Sequence, residues 1–283
     1  MNRPAYRCSG GALLSTFNME SNLRPIPAVK PVAPYLGGKR NLASRIIDRL
    51  REIPHRNYVE PFVGMGGVFL RRPFYVECEV INDLNRDVAN LFRVLQRHYV
   101  ALMDELRWRI TSRDEFERLV AAEANSLTDL ERAARFLYLQ RTAFGGKISG
   151  RNFGVSLNSA RFDVQALGAM LEDVHRRLSR VVIECLPWQD VVRRYDRPET
   201  LFYLDPPYWG CERDYAAPFS RDQFEEMATT LRSIQGRFIL FLNDRPEVRD
   251  VFEGFTIEGV DVGYSIARKT SDQGRFKEVL ISH

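Results

Sequence analysis

The sequence predicts an α/β protein with a central, mostly parallel sheet, a C-terminal antiparallel hairpin and an inserted block of helices. Strand-like runs alternate with helical patterns over residues 57–90 and again over 164–242, as in parallel sheets with helical crossovers. The stretch 87–142 interrupts this alternation with helical periodicity alone. Two β-rich runs, 255–262 and 277–282, come last and predict the hairpin.

Composition favours a large globular domain inside the cell. The 283 residues are 45% hydrophobic, enough for one domain with an insertion. No run of about 18 uncharged apolar residues occurs, so we expect no membrane partner. A net charge of +4 is compatible with nucleic acid binding but does not diagnose it. Wide cysteine spacing favours reduced thiols in a cytoplasm and predicts no metal site; the cysteines are Cys8, Cys78, Cys185 and Cys211.

The first elements follow a proline-rich lead-in. Residues 1–30 are expected to form a disordered leader, with Met19 as an alternative start, and prolines keep residues 24–36 extended. Gly37, Gly38 and Lys39 precede a helical pattern over 41–53. Such a turn can hold an anionic group at a helix N-terminus, or it can be a plain turn with a solvated lysine.

A glycine loop and an acid follow two consecutive predicted strands. The first strand, Asn57–Phe62, leads into Val63–Gly67 and a helix from Val68 onward; the second, Tyr75–Ile81, ends before Asp83. Asp83 lies 19 residues after Gly64, near the spacing at which an acid reaches ribose hydroxyls. The pair therefore predicts an adenosine-type ligand. The alternatives are a packing glycine and an aspartate that caps the next helix.

The helical block ends in a glycine-rich loop, residues 144–154, with two cations, an amide and two aromatic rings. Arginine and asparagine are the side chains that read guanine and adenine edges, so Arg151 and Asn152 are candidates for entering a DNA groove, together with Phe144 and Lys147. A flexible surface connection is the alternative.

A short apolar strand, residues 201–204, leads into Asp205-Pro206-Pro207-Tyr208-Trp209. Open α/β sheets build their sites at the carboxyl ends of strands, and two prolines make the backbone after Asp205 stiff. An acid, a rigid turn and aromatic faces suit a planar guest that carries an amine, such as a nucleobase. A proline-rich exit with Asp205 as a helix cap is the alternative.

The remaining pattern predicts helices at 164–178, 188–195 and 221–234 and strands at 181–185 and 237–242. The final hairpin has a basic tip that includes Arg268 and Lys269, which can contact phosphates.

Four of these motifs, in this order, resemble the Dam-type, class-alpha DNA adenine-N6 methyltransferases. PYLGGK (34–39) resembles motif X, EPFVGMGG (60–67) motif I, INDLN (81–85) motif II and DPPY (205–208) motif IV. The resemblance covers about residues 33–283. The 144–154 loop departs from the family's GATC-reading segment, so the recognition sequence does not carry over.

The resemblance implies a Rossmann-like fold, S-adenosylmethionine as cofactor and double-stranded DNA as partner, and leaves a cognate restriction endonuclease open. It implies a catalytic domain over 31–90 and 160–283 and a helical target-recognition domain over 91–159. It implies catalytic roles for Asp205, Pro206, Pro207 and Tyr208. The implied cofactor-binding residues are Tyr35, Lys39, Glu60, Pro61, Phe62, Gly64, Asp83 and Asp205.

The chemistry of the acid-and-proline turn agrees with this resemblance. An exocyclic adenine amine is a poor nucleophile, and hydrogen bonds to the Asp205 carboxylate and the Pro206 carbonyl favour a nitrogen whose lone pair can attack. The base has to leave the duplex, and Tyr208 can stack on it. A cytosine-N4 enzyme needs the same chemistry, although the resemblance links the acid to adenine. An RNA or protein methyltransferase and a catalytically silent DNA-binding protein are further alternatives.

Overall fold

A seven-stranded sheet forms the centre of the molecule, in the order β5-β4-β2-β6-β7-β9-β8. The computed structural model describes residues 22–35, 37–155, 160–210, 219–262 and 276–283. The first five strands of this order pair in parallel, and β9 pairs antiparallel with both β7 and β8. The predicted mostly parallel sheet and C-terminal antiparallel hairpin are therefore confirmed.

The described elements have the following bounds. The strands are β1 (Arg24–Pro25), β2 (Asn57–Glu60), β3 (Phe74–Tyr75), β4 (Cys78–Asn82), β5 (Val181–Glu184), β6 (Thr200–Leu204), β7 (Arg237–Asn243), β8 (Thr256–Val262) and β9 (Phe276–Ser282). The α-helices are α1 (Ala43–Glu52), α2 (Arg86–Arg97), α3 (Tyr99–Leu106), α4 (Arg113–Ala121), α5 (Asp129–Thr142), α6 (Val164–Leu178), α7 (Trp188–Tyr195), α8 (Arg221–Ser233) and α9 (Pro246–Val251).

Helices cover both faces of the sheet. The buried side chains of α1–α6 form one hydrophobic cluster with alternate strand residues such as Leu201 and Tyr203. Those of α7–α9 form a second cluster with the intervening residues such as Phe202 and Leu204. Because successive strand residues point to opposite faces, β6 is buried on both sides, as its continuous apolar sequence predicts.

Three sequence expectations need correction. No helix begins at Val68: residues 64–71 form successive turns, because Gly64 and Gly66 adopt left-handed φ values of 50° and 73° that an α-helix cannot contain. The predicted strand Tyr75–Ile81 is two strands, since β3 pairs with β1 while β4 joins the central sheet. The leader expected over 1–30 is partly structured, because Ile26 and Val29 donate backbone hydrogen bonds to Pro73 and Leu70.

The interrupting block is helical, as predicted, and its helices pack on those that flank the sheet. Helix α5 contacts α2, α3 and α4, and α2 also contacts α6. Thr128 and Glu131 form a full capping box at the start of α5, and Ser112 caps α4. In the described residues, no helix is long and apolar enough to cross a membrane.

Candidate active site

A cavity of about 900 Å³ lies where β2, β4 and β6 end. These are the carboxyl ends of parallel strands on either side of the point where the strand order reverses, the usual place for a ligand in an open α/β sheet. The cavity is lined by all eight residues predicted to bind a cofactor: Tyr35, Lys39, Glu60, Pro61, Phe62, Gly64, Asp83 and Asp205.

Asp205 stands directly after β6 and pairs with a buried cation. Lys39 Nζ lies 2.7 Å from Asp205 Oδ1, and the Asp205 side chain is 18% exposed. Burial raises the pKa of Asp205 to about 6, although the charge and hydrogen bond of Lys39 oppose this rise. At neutral pH the carboxylate is therefore ionised and able to accept hydrogen bonds from a guest.

Lys39 is not solvated, so the plain-turn alternative for this residue is wrong. Only 3% of Lys39 is exposed, and its ammonium also donates to the Gly37 carbonyl at 3.0 Å. The same Nζ atom lies 4.6 Å from the centroid of the Tyr208 ring. Lys39 therefore connects the turn before α1 to the acid and the aromatic ring of the Asp205–Tyr208 segment.

The glycine turn after β2 and the acid after β4 meet inside the cavity. Asp83 Oδ2 accepts the Gly64 N–H at 2.9 Å, and Oδ1 accepts the Asn85 N–H at 2.9 Å. Burial raises the pKa of Asp83 to about 6 despite these bonds. Asp83 is not the cap of α2, because the Asn85 side chain accepts from the Asp87 N–H instead.

Gly64 cannot be replaced without a clash. Its φ is +50°, and a Cβ atom there would lie 2.9 Å from the Tyr35 ring. The glycine therefore lets motif I and the Tyr35 ring approach each other at the cavity wall.

Glu60, the last residue of β2, is the most perturbed acid that lines the cavity. Tyr58 donates its hydroxyl to Glu60 Oε2 at 2.6 Å. Burial raises the pKa of Glu60 to about 8. A carboxyl group in this state ionises readily when a positively charged ligand group comes near.

Tyr203 is a site residue that the sequence interpretation missed. It lies on β6 two residues before Asp205, lines the cavity and is 1% exposed. Its hydroxyl has no hydrogen-bond partner among the described residues. Its position two residues before Asp205 could have indicated this role, because residues two apart on a strand share a face. Its place in an apolar run instead favoured a core residue.

Side chains of strand β9 and helix α8 contact the segment after Asp205. Tyr208 donates its hydroxyl to Glu278 Oε1 at 2.6 Å. The Trp209 ring packs on Phe224 with ring centroids 5.0 Å apart. Of the two aromatic faces expected to serve a guest, that of Trp209 therefore belongs to the protein core, while Pro207 lines the cavity and Pro206 is buried.

The loop predicted to read DNA is anchored beside the cavity. Gln140 Nε2 donates to the carbonyls of Pro34 at 2.9 Å and Gly146 at 2.6 Å. Phe144 is 62% exposed, and Lys147 and Asn152 are also exposed.

Arg151 differs from its neighbours in this loop. It is half-buried, and its Nε atom donates back to the Lys147 carbonyl at 3.1 Å. Its guanidinium therefore braces the loop in this structure. Arg268 and Lys269 lie outside the described residues.

The arrangement of a glycine turn, an acid after the neighbouring strand and an acid at the switch point is that of a Rossmann-like methyltransferase. The family comparison makes the class specific. The chain belongs to the D12 class of N6 adenine-specific DNA methyltransferases, whose family profile matches residues 35–266. The resemblance seen in the four motifs, and the adenine-specific enzyme that it implied, are confirmed.

Several characterised proteins are similar to this chain over most of its length. The DNA adenine methylase of Haemophilus influenzae is 25% identical over 281 residues, covering 92% of this chain and 96% of that protein. The DNA adenine methylase of Vibrio cholerae is 28% identical over 267 residues, covering 87% and 93%. A type II methyltransferase of Methanocaldococcus jannaschii is 28% identical over 208 residues, covering 64% and 69%.

Proposed function

We propose that this protein transfers the methyl group of S-adenosylmethionine to the N6 atom of a flipped-out adenine at a specific sequence in double-stranded DNA. The observation that carries the proposal is the Asp205 carboxyl group, which pairs with Lys39 and is followed by two prolines at the carboxyl end of β6. It shares one cavity with the glycine turn and with Asp83.

The cavity fits the cofactor by size and by chemistry. Family members in general use S-adenosylmethionine, which when bound supplies an electrophilic methyl group on a positively charged sulfur. Asp83 provides acceptor oxygens for ribose hydroxyls, and Gly64 allows close approach of a ligand to the backbone. Glu60 and Asp205 provide negative charge for a cationic ligand. The buried Tyr203 hydroxyl supplies a donor at the cavity wall.

Asp205 and Pro206 activate and orient the adenine amine. The carboxylate and the Pro206 carbonyl each accept one N–H, which favours a nitrogen whose lone pair is directed away from the ring. Pro206 and Pro207 restrict φ at successive positions. The Asp205 carboxylate and the Pro206 carbonyl therefore hold their relative positions. The main contribution is proximity and orientation of the nucleophile.

The position of Asp205 requires the base to leave the duplex. With an 18% exposed side chain, the carboxylate is recessed in the cavity, where a stacked base cannot reach it. Tyr208 provides a ring beside this carboxylate, and stacking of a base on an aromatic ring stabilises by about 1–3 kcal/mol. That is comparable to the cost of unstacking one base.

Positive charge around the cavity supports a DNA substrate. Lys30, Arg40, Arg71 and Arg141 line it in addition to Lys39. We assign phosphate contacts to these four cations. Base reading is assigned to the exposed loop residues Phe144, Lys147 and Asn152, and to Arg151 once it exchanges its internal bonds for bonds to a base. Residues 91–159 then form the target-recognition part and 31–90 with 160–283 the catalytic part, while Arg268 and Lys269 contact the backbone.

Methylation in cells and in vitro tests the proposal. DNA from cells that express the protein is sequenced for N6-methyladenine, and the recovered site is placed in a duplex for transfer assays with radiolabelled S-adenosylmethionine. We expect label in adenine at one sequence context. Label in cytosine, or no label in any DNA, would overturn the proposal. If the methylated site resists cleavage by a restriction endonuclease that recognises it, that result would identify the class of any cognate restriction endonuclease.

A further inference from the structure

Side chains from elsewhere in the fold hold the catalytic segment that follows β6. Residues 205–208 form no regular secondary structure, and Pro206 and Pro207 have no N–H to donate. Its position therefore depends on side chains from elsewhere in the fold. Lys39 holds the first residue, Asp205, at 2.7 Å. The other end is held by two residues that no motif of the sequence singled out, Asn243 and Glu278.

Asn243 binds the peptide of Trp209 at two points. Its Oδ1 atom accepts the Trp209 N–H at 3.0 Å, and its Nδ2 atom donates to the Trp209 carbonyl at 2.9 Å. An amide side chain is suited to this task, because it carries one donor and one acceptor in the same plane as a peptide does. The Asn243 side chain thus bonds the Trp209 peptide as a neighbouring peptide group would.

The register of the sheet explains why Asn243 lies there. Leu204, the last residue of β6, is paired with Leu240, and β7 continues three residues further to Asn243. Because the two strands run in parallel, the additional residues of β7 flank the segment that leaves β6.

Glu278 holds the Tyr208 ring from the next strand. It is 1% exposed and accepts the Tyr208 hydroxyl at 2.6 Å. Glu278 is also the cross-strand partner of Asn243 in the β7–β9 pair, so the two side chains project from the same face of the sheet. Strand β9 therefore supplies a buried carboxylate to the candidate active site.

We propose that Asn243 and Glu278 are positioning residues that fix the Trp209 peptide and the Tyr208 ring, and thereby hold Asp205 and Pro206 in the geometry that the target amine requires. The inference rests on the proposed adenine methylation. Lys39 anchors one end of a five-residue segment and this pair anchors the other end. Since a displacement of about 1 Å at a reacting centre can cost about a hundredfold in rate, loss of either anchor lowers kcat.

A double-mutant cycle tests the Glu278 half. Tyr208→Phe and Glu278→Leu are each expected to lower kcat about tenfold, and the double variant is expected to lose no more than either single variant, because all three lack the same bond. Glu278→Gln keeps an oxygen that accepts the hydroxyl, so it retains more activity than Glu278→Leu. Additive losses, or wild-type kcat in Tyr208→Phe, would overturn this half.

Tyr195→Phe is the matched control for the cycle. Tyr195 donates its hydroxyl to Glu184 at 2.7 Å, so the variant loses the same kind of bond, and the two residues lie on α7 and β5, away from the strands β7 and β9 that hold the segment 205–209. We expect kcat to be unchanged. An equal loss of kcat in Tyr195→Phe would show that the losses reflect general stability, and would overturn the inference.

Asn243→Asp and Asn243→Ala test the other half. Aspartate keeps the acceptor for the Trp209 N–H and loses the donor, so its kcat should fall between those of wild type and Asn243→Ala. Affinity for S-adenosylhomocysteine, measured by calorimetry, should stay within about twofold of wild type. Retained kcat in Asn243→Ala, or an equal loss of cofactor affinity, would overturn a positioning role.

The fluorescence of 2-aminopurine at the target position provides an independent readout. We expect both Asn243→Ala and Glu278→Leu to alter the fluorescence of the bound duplex, because the ring that meets the flipped base has moved. An unchanged signal would count against the proposal. If wild type transfers no methyl group to adenine, the proposed function fails; if wild type is active and the variants are equally active, the positioning role alone fails.

Discussion

The buried Glu79 and the partly exposed Asp205 are two carboxylates with different surroundings. Glu79 accepts two hydrogen bonds from Arg177, at 2.6 and 2.9 Å, and a third from Arg72. Arg72 also lies 3.6 Å from the centroid of the Tyr58 ring. Asp205 has one cation, Lys39, and lines a cavity.

The difference separates a structural acid from one that serves a ligand. Glu79 joins β4 to α6 and has both oxygens in contact with guanidinium groups, so it has little capacity for another donor. Asp205 has one oxygen engaged by Lys39 and burial keeps its pKa raised, to about 6. Because Lys39 does not satisfy all the acceptor positions of the Asp205 carboxylate, this group can still accept a hydrogen bond from an incoming amine.

The largest expected effect comes from Asp205→Ala. It removes an acceptor for the amine, so kcat should fall by about a thousandfold or more. The fold and much of the DNA affinity should remain, with a lower free energy of unfolding because the buried Lys39 loses its carboxylate partner. Transfer of labelled methyl groups measures kcat, and gel-shift assays measure DNA binding.

Retained turnover in Asp205→Ala would remove Asp205 from the mechanism. Asp205→Asn is a closer variant, because it keeps the size of the side chain and one acceptor oxygen while losing the charge. We expect its kcat to lie above that of Asp205→Ala and well below that of wild type.

Glu79→Ala should affect stability instead of turnover. It leaves Arg72 and Arg177 buried without their common partner, which lowers the free energy of unfolding by about 3–5 kcal/mol. Urea titration measures this loss, and kcat well below the Tm should stay near that of wild type. If kcat falls as much as in Asp205→Ala, the distinction between the two acids is wrong.

Asp83→Ala should chiefly weaken cofactor affinity. The variant loses the acceptor assigned to ribose hydroxyls and the bond that orders the Gly64 N–H, so Kd should rise by about tenfold to a hundredfold. Calorimetry with S-adenosylhomocysteine measures Kd. Unchanged affinity together with reduced kcat would place Asp83 with the reacting groups.

The pH dependence of kcat should show the smallest effect, and it compares Asp205 with and without its partner Lys39. Only ionised Asp205 can accept an amine N–H and the Lys39 ammonium together, so kcat should fall as pH decreases through about 6, the pKa of this carboxyl. Lys39 lowers that pKa, so Lys39→Met should move the fall to higher pH by about one to three units. A fall that stays at the same pH in Lys39→Met would show that another group controls it.

Much of the fold could be predicted from the sequence, because caps and the residues that follow strands are local signals. The bounds of α6 and α7 match the sequence pattern, and Asp163 caps α6 by accepting from Gln165 and Ala166. The glycine turn, Asp83 and Asp205 were predicted to adjoin, because each follows a strand of a parallel sheet. The structure brings all three into one cavity.

The remaining features depend on contacts between distant parts of the chain. Val68, Phe69 and Leu70 are apolar like the start of a helix, yet the φ values of Gly64 and Gly66 make the segment a series of turns. Lys39 pairs with Asp205, which lies 166 residues further along the sequence. No local periodicity predicts such a pair.

The roles of Asn243 and Glu278 could not be predicted from local sequence either, because they depend on strand register. Each has an ordinary place in a strand pattern, and only the pairing of β7 with β9 puts both beside Tyr208 and Trp209. Helix α9 is a different case, because Pro246 at its first turn is a local helix-start signal.

The place of β9 has a consequence for the order of folding. Strand β9 is synthesised after β8 but lies between β7 and β8, and among the described strands β8 pairs only with β9. A nascent chain that has reached β8 therefore has no partner for it and no Glu278 beside Tyr208. The bond between Tyr208 and Glu278 therefore forms only when β9 enters the sheet between β7 and β8, so the active site is completed by the same event that closes the sheet.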